Sequence, residues 1–179
     1  IPGGKGLTTD AGMHVPLIAS WKGRAPSGKV CPDLIDSTDF IPTIMEATGA
    51  KWFDGRPLDG RSFLPQVQGK KGNPRQWAFA HYDPHPGCKV NFPGTRLTWD
   101  QRWKLYMDGR LFDVQNDYFE KSPIPAGGGS AEAKAARAKL QAGLDRMAKV
   151  KPPKLFPPTV RAVKEIVPNK LIPKLKPLT

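Results

Sequence analysis

Two apolar, aromatic-rich runs separated by Asp108-Gly109 constrain this chain more than any other local feature. The first, Arg102 to Met107, and the second, Arg110 to Val114, contain Trp103, Leu105, Tyr106, Leu111, Phe112 and Val114. Such residues suit a pleated, half-buried surface. Asp and Gly tolerate the positive φ angles of a type I′ turn, so the segment predicts a β-hairpin. Gln76 to Tyr82 and Thr95 to Trp99 read as two further strands. Residues 76–115 are therefore expected to form a small antiparallel sheet, with Trp77, Phe79, Trp99 and Trp103 in its core.

Before this sheet, Val15 to Trp21 is a short apolar run whose length suits a buried strand better than a helix. Arg24 to Pro32 carries Pro26, Ser27-Gly28 and Pro32 and reads as a surface loop. A helix is expected next. Ser37, Thr38 or Asp39 can cap it, Pro42 fits its first turn and Gly49 can end it. Phe40, Ile41, Ile44, Met45 and Thr48 then share one face. Arg61 to Val67 predicts a short helix before a loop at 69–74. After the sheet, Pro123 to Ser130 reads as a linker. Ala131 to Met147 reads as a helix, capped by Ser130, weakly amphipathic and lying on the surface. No internal repeat is apparent.

The net charge of +12 is unevenly spread over the 179 residues. Lys149 to Thr179 holds eight Lys or Arg against one Glu, and its prolines interrupt every helical pattern. This tail is expected to be extended or disordered. With most of the excess charge there, the chain does not read as a uniformly basic nucleic-acid-binding domain. Its apolar runs are too short for a transmembrane segment. Cys31 and Cys88 make neither a disulfide framework nor a metal-type Cys/His spacing, so no metal site is assigned within the chain. The start at Ile1 reads as a cut edge. The expected organisation is a segment at 1–75, a small antiparallel subdomain at 76–122, a linker and helix at 123–149, and a basic Pro-rich tail at 150–179.

Several residues could carry chemistry. Gly3-Gly4-Lys5-Gly6-Leu7-Thr8-Thr9 is Gly-rich and basic but lacks the Walker spacing. Lys5 can hold an oxyanion as a point charge beside backbone N–H groups, or it is a solvated Lys in a turn. His14, next to the apolar run, reads first as a hydrogen-bonded structural residue. His81 and Tyr82, with Asp83 and His85, close an aromatic strand in a loop that can face a substrate.

The order of these pieces resembles the C-terminal part of a sulfatase, in the alkaline-phosphatase-like superfamily. Gly4-Lys5-Gly6-Leu7-Thr8-Thr9-Asp10-Ala11-Gly12-Met13-His14-Val15-Pro16 resembles the family pattern G-K-G-T-T-Y-E-G-G-I-R-V-P. Pro16-Leu17-Ile18 with Trp21-Lys22-Gly23 resembles P-L-I-x-x-W-P-G, and Asp36 to Thr43 resembles S-S-x-D-L-x-P-T. Leu58-Asp59-Gly60-Arg61-Ser62-Phe63-Leu64-Pro65 resembles L-D-G-x-S-L-x-P. Arg102-Trp103-Lys104-Leu105 with Leu111 to Asp117 resembles the closing hairpin R-x-K-L … L-Y-D-L-x-x-D-P.

The resemblance implies an α/β fold in which this chain supplies the end of the main sheet layer, then a small antiparallel β subdomain with a helix. It implies hydrolysis of a sulfate ester, with sulfated polysaccharide among the possible substrates, by a formylglycine nucleophile and a divalent cation, usually calcium. Lys5 matches the family Lys that contacts the sulfate and helps the leaving oxygen. Asp10 falls where the family often has Glu. His81, Tyr82 and His14 are the candidate substrate-binding residues, His14 standing where the family usually has Arg. A periplasmic or secreted location follows from the resemblance. The sequence also departs from the family. Neither Cys31-Pro32 nor Cys88-Lys89 is C-x-P-S-R, so nucleophile and metal ligands are expected upstream, and the chain alone is expected to be inactive. Two alternatives stay open: a phosphoesterase or phosphonate hydrolase on the same scaffold, and a non-catalytic fragment that binds polyanions through the basic tail.

Overall fold

A computed structural model of the chain describes residues 4, 6–52, 57–82 and 94–150. The chain divides into two units, Ile1–Ala148 and Lys149–Thr179. The basic tail at 151–179 lies outside the described residues, and every element below belongs to the first unit.

The elements begin with α1 (Asp10–Met13), then a 3-10 turn at Ser37–Asp39 leading into α2 (Phe40–Thr48) and a short α3 (Leu64–Val67). Four strands follow: β1 (Ala78–Tyr82), β2 (Thr95–Trp99), β3 (Trp103–Tyr106) and β4 (Leu111–Asp113). They form one antiparallel sheet in sequential order. The long α4 (Ala131–Ala148) comes last.

The hairpin between β3 and β4 forms where the sequence predicts it, with a different turn. Tyr106 N–H donates to Arg110 O and Gly109 N–H donates to Tyr106 O, both at 2.9 Å. The loop is thus three residues, Met107 to Gly109, with Gly109 at φ +88° and no positive φ at Asp108. That is the three-residue hairpin ending in a left-handed residue, rather than type I′. Only one position needs the left-handed conformation, and glycine fills it at no steric cost.

Strand alternation gives the sheet two faces. Phe79, Thr98, Leu105 and Leu111 stand in one cross-strand row, and Ala80, Leu97 and Tyr106 stand in another. The first row packs with Trp103, Trp77 and Ile124 against Ala133, Ala136, Leu140 and Leu144 of α4. The helix expected on the surface therefore covers a whole sheet face. Its small residues let it lie close, and Thr98 Oγ1 donates to Leu140 O at 2.9 Å. Ser130 caps it, accepting from Ala133 N–H at 3.2 Å. Arg137 donates to Gly109 O and Ile124 O at 2.6 and 2.7 Å, fastening α4 to the hairpin and the linker. The linker is not independent of the sheet, since Ile124 bridges to Leu111.

Two expectations upstream of the sheet are corrected. Val15 to Trp21 is not a strand: it has no regular structure, and Ile18 is 89% exposed. Pro16 lacks a donor, and among the described residues no strand lies beside the segment to pair with it, so no ladder forms. α2 forms as predicted, with Gly49 at its C-cap and Asp39 at its N-cap position, but no side chain caps α2 itself: the capping box, Asp36 with Asp39, closes the 3-10 turn that leads into it. Its apolar stripe is not buried. Phe40, Ile41 and Ile44 are exposed, and the buried contacts run through Asp39 and Thr43 instead. Thr43 Oγ1 donates to Asp39 O at 2.6 Å and accepts from Phe63 N–H at 3.0 Å. Asp39 accepts from the N–H groups of Asp36 and Arg61, each at 2.8 Å, and from Arg75. Burial opposes ionisation of Asp39, but these donors outweigh it and hold the carboxyl below its usual range.

Candidate functional site

The sheet's second face is covered by the described residues between Gly4 and His14, whose only regular element is the four-residue α1. Met13, Ala80 and Trp99 pack around Leu97, Tyr106, Phe112 and Val114 there. The segment folds on itself tightly. Gly4 N–H donates to Ala11 O at 3.0 Å, and Leu7 N–H donates to Gly4 O at 2.8 Å. A Cβ built on Gly12 would lie 2.3 Å from Leu7 O and 2.4 Å from Gly4 O. Only glycine permits that approach.

Beneath this segment sits a buried charged cluster. Lys104, on β3 and 1% exposed, directs its ammonium at three acceptors. They are Asp10 Oδ1 at 2.6 Å, Glu120 Oε1 at 2.8 Å and Thr8 O at 3.1 Å. All three donors of the ammonium are used. Glu120 Oε1 also accepts from Asp10 N–H at 3.1 Å, and Glu120 Oε2 accepts from the Tyr106 hydroxyl at 2.5 Å. Thr8 Oγ1 lies 3.2 Å from the Tyr106 oxygen. Burial, and the Glu120 carboxylate to which it donates, push the Tyr106 phenol well above its usual range, so it stays protonated. A buried Lys is tolerated only when paired and fully hydrogen-bonded, and this one is both.

Glu120 is presented by an ordered turn. Arg102 donates to Asp113 Oδ2 at 3.1 and 2.9 Å, and Asn116 Nδ2 donates to the same oxygen at 2.9 Å. The hydrogen bond from Arg102 holds the Asp113 carboxyl below its usual range. Asp117 accepts from the N–H groups of Lys121 and Ser122. Glu120 has φ +54°, the left-handed value at a non-glycine residue. Such a conformation persists where surrounding contacts over-determine it.

The sequence-predicted residues fall into different places. Lys5 lies outside the described residues, as does His85; its neighbours Gly4 and Gly6 are described. Tyr82 ends β1 on the same face as the Gly4–His14 segment, and its hydroxyl donates to Gly6 O at 2.8 Å. His14 follows α1, is 76% exposed, and places Nδ1 3.7 Å from Asp10 Oδ2. His81 pairs with Arg96 across the ladder and, one residue from Tyr82, stands on the α4 face. The structure thus brings Tyr82, His14 and the Gly-rich segment to one face and leaves His81 on the other. Lys104, Tyr106 and Glu120 were not singled out from the sequence. One signal was available: Lys104 sits among the apolar residues of a strand, on the side where Tyr106 and Phe112 point inward.

Among the described residues no group of three or more His, Cys, Asp or Glu is placed to hold a metal. Asp10 and Glu120 are turned onto the Lys104 ammonium, so they do not fit a divalent cation. Cys31 is a free, exposed thiol followed by Pro32 and Asp33. A cleft of about 640 Å³ opens at the opposite strand ends, near Gln76, Asp100 and Trp103. Its cations are neutralised locally: Arg75 by Asp39, Arg102 by Asp113 and Glu132, Lys139 by Asp100. It offers no unmatched positive charge to an anionic group.

The family described as N-sulphoglucosamine sulphohydrolase, C-terminal, matches residues 4–149. The chain belongs to this sulfatase family. Its match takes in both the Gly-rich segment and the sheet beneath it, with α4. An ulvan-active sulfatase of Formosa agariphila is 42% identical over 119 residues, covering 62% of this chain and 22% of the relative. Human arylsulfatase D is 32% identical over 110 residues, covering 58% of this chain and 17% of that protein. The chain thus spans about a fifth of the length of these sulfatases. A solved structure of the protein BT4656, in complex with its substrate D-glucosamine-2-N,6-O-disulfate, is 22% identical with a TM-score of 0.48, covering 62% of this chain and 23% of the other. No helix among the described residues is long and apolar enough to cross a membrane.

Proposed function

We propose that this chain is the C-terminal portion of a sulfatase that hydrolyses sulfate esters, and that Lys5 is its contribution to the reacting centre. The observation that supports the reading is the close folding of the residues around Lys5, with Gly4 N–H bonded to Ala11 O, in a segment that lies inside the matched residues and whose Gly4-Lys5-Gly6 resembles the sulfatase pattern. An ammonium beside a sulfate group stabilises negative charge that grows on the oxygens as the S–O bond to the leaving group breaks. It also donates a hydrogen bond to the departing oxygen. Tyr82 and His14 border the same face and are proposed to shape the approach to it. The formylglycine nucleophile and the divalent cation of the proposed mechanism would be held by residues outside positions 1–179. The ulvan-active relative supports a sulfated polysaccharide as the substrate class. The reading also places the protein in the periplasm or outside the cell.

The test uses the intact protein, with release of 4-nitrophenol from its sulfate ester and of sulfate from sulfated oligosaccharides. Lys5→Ala is expected to lower kcat by about 10²–10³-fold, the usual cost of removing one preorganised donor. Normal turnover by Lys5→Ala would end the assignment. Faster hydrolysis of 4-nitrophenyl phosphate than of the sulfate would move the protein to the phosphoesterases.

A further inference from the structure

The charged cluster under the Gly-rich segment is more elaborate than stability requires. An apolar trio in place of Lys104, Tyr106 and Glu120 would fill the same space without desolvating charges. What the ionic version supplies is direction. Two elements far apart in sequence, α1 and β3, meet at one carboxylate: the Asp10 N–H, the Lys104 ammonium and the Tyr106 hydroxyl all donate to Glu120. Lys104 then reaches on to Thr8 O and Asp10 Oδ1. The Thr8 to Asp10 stretch is therefore held from below at three atoms, two of the backbone and one of the Asp10 side chain.

From there the constraint passes to the residues flanking Lys5. α1 begins at Asp10, and Ala11 O accepts from Gly4 N–H. Gly12 is in close contact with Gly4 O and Leu7 O. On the other flank, Gly6 O accepts from Tyr82. Gly4 and Gly6 are thus both tied to the sheet, the first through α1 and Glu120, the second through β1. We propose that Glu120, acting with Lys104 and Tyr106, is a positioning residue for Lys5: it sets the height and angle of α1, and through α1 the backbone that carries Lys5. The left-handed backbone at Glu120 agrees with this role, since a locally unfavourable conformation is held in place to present one carboxylate. This inference rests on the proposal that Lys5 meets the sulfate.

The experiment is a double-mutant cycle in the intact protein with 4-nitrophenyl sulfate. Glu120→Gln keeps the shape and removes the charge. Misplacing a catalytic group by a fraction of an ångström to 1 Å costs up to about 10²-fold. Glu120→Gln is therefore expected to lower kcat about 10- to 100-fold while changing KM less than about 3-fold. In a Lys5→Ala background the same substitution is expected to cost less than about 2-fold, because the group it positions is gone. A normal kcat for Glu120→Gln overturns the inference. So does a loss of equal size in both backgrounds, which would mean that Glu120 acts on the enzyme generally. If Lys5→Ala itself turns over normally, the reading of Lys5 fails and takes this inference with it, an outcome distinct from the other two. Should Glu120→Gln fail to fold, Tyr106→Phe removes a single hydroxyl from the same cluster, and the same cycle decides.

Discussion

The two faces of the four-stranded sheet are covered in opposite ways. On one, α4 lays Ala133, Ala136, Leu140 and Leu144 over Trp103, Leu105 and Leu111. On the other, a segment whose only regular element is the four-residue α1 is held by Lys104, Tyr106 and Glu120. Apolar packing is non-directional, so the helix face gains from area buried and tolerates small shifts. An ion pair with every hydrogen bond made works only at one geometry, and it is costly when half-made. The first face therefore holds the sheet together, and the second holds one segment in one position. The segment under the stricter control is the one with the candidate chemistry.

The largest effect should come from breaking the strict face. Lys104→Ala leaves the buried Glu120 carboxylate beside a part-buried Asp10 without a cation, and is expected to destabilise the fold by about 3–5 kcal/mol. Leu140→Ala, on the other face, opens a cavity and is expected to cost about 2–5 kcal/mol. The comparison is sharpened by measuring both stability and activity. Urea unfolding should show losses of similar size, whereas kcat of the folded protein should fall only for Lys104→Ala. Equal loss of kcat in both would mean the two faces are not functionally distinct.

The elements of the helix face were legible in the sequence, though not that α4 packs over the sheet, and the other face was legible only in part. Strand-forming runs, a Gly at the hairpin turn and an Ala-rich, Ser-capped helix are local signals, and each element formed within a residue or two of its expected limits. The turn type was missed because Asp-Gly fits both a two-residue and a three-residue loop, and only the cross-strand register separates them. The partners of Lys104 were not legible because they lie 94 and 16 residues away in the chain. Nothing local distinguishes Glu120 from any solvated Glu. The Val15 to Trp21 run was misread for a related reason. Its composition is that of a strand, but a strand also needs a neighbour, and none is present among the described residues.

A smaller, pH-dependent effect tests whether Tyr106 is held as described. Its phenol is shifted upward, so its contribution to stability is complete below pH 10, the usual Tyr value, and is lost as pH rises from there. Above pH 10 the unfolded chain releases this proton while the folded one keeps it. That difference lowers stability by up to about 1.4 kcal/mol per pH unit. Tyr106→Phe has no such proton, so its unfolding midpoint is expected to fall less steeply between pH 10 and 11 than that of the parent chain. Parallel slopes would mean that the hydroxyl is not buried against Glu120.

The smallest effects separate the neighbours His81 and Tyr82. Strand alternation puts them on opposite faces, and only Tyr82 reaches the Gly-rich segment, through its bond to Gly6 O. A neutral hydrogen bond contributes about 1 kcal/mol, so Tyr82→Phe is expected to lower kcat about 3- to 10-fold by loosening one flank of Lys5. His81 is exposed on the α4 side, where substitution normally changes stability by less than about 0.5 kcal/mol. His81→Ala is accordingly expected to leave both kcat and KM within about 2-fold of the parent values on 4-nitrophenyl sulfate and on sulfated oligosaccharides. The reverse order of effects would be the more instructive result. A loss at His81 larger than at Tyr82 would mean that substrate approaches from the helix side of β1. The strict face would then be a structural device alone, and the search for the sulfate-contacting residues would move toward Arg96, the ladder partner of His81.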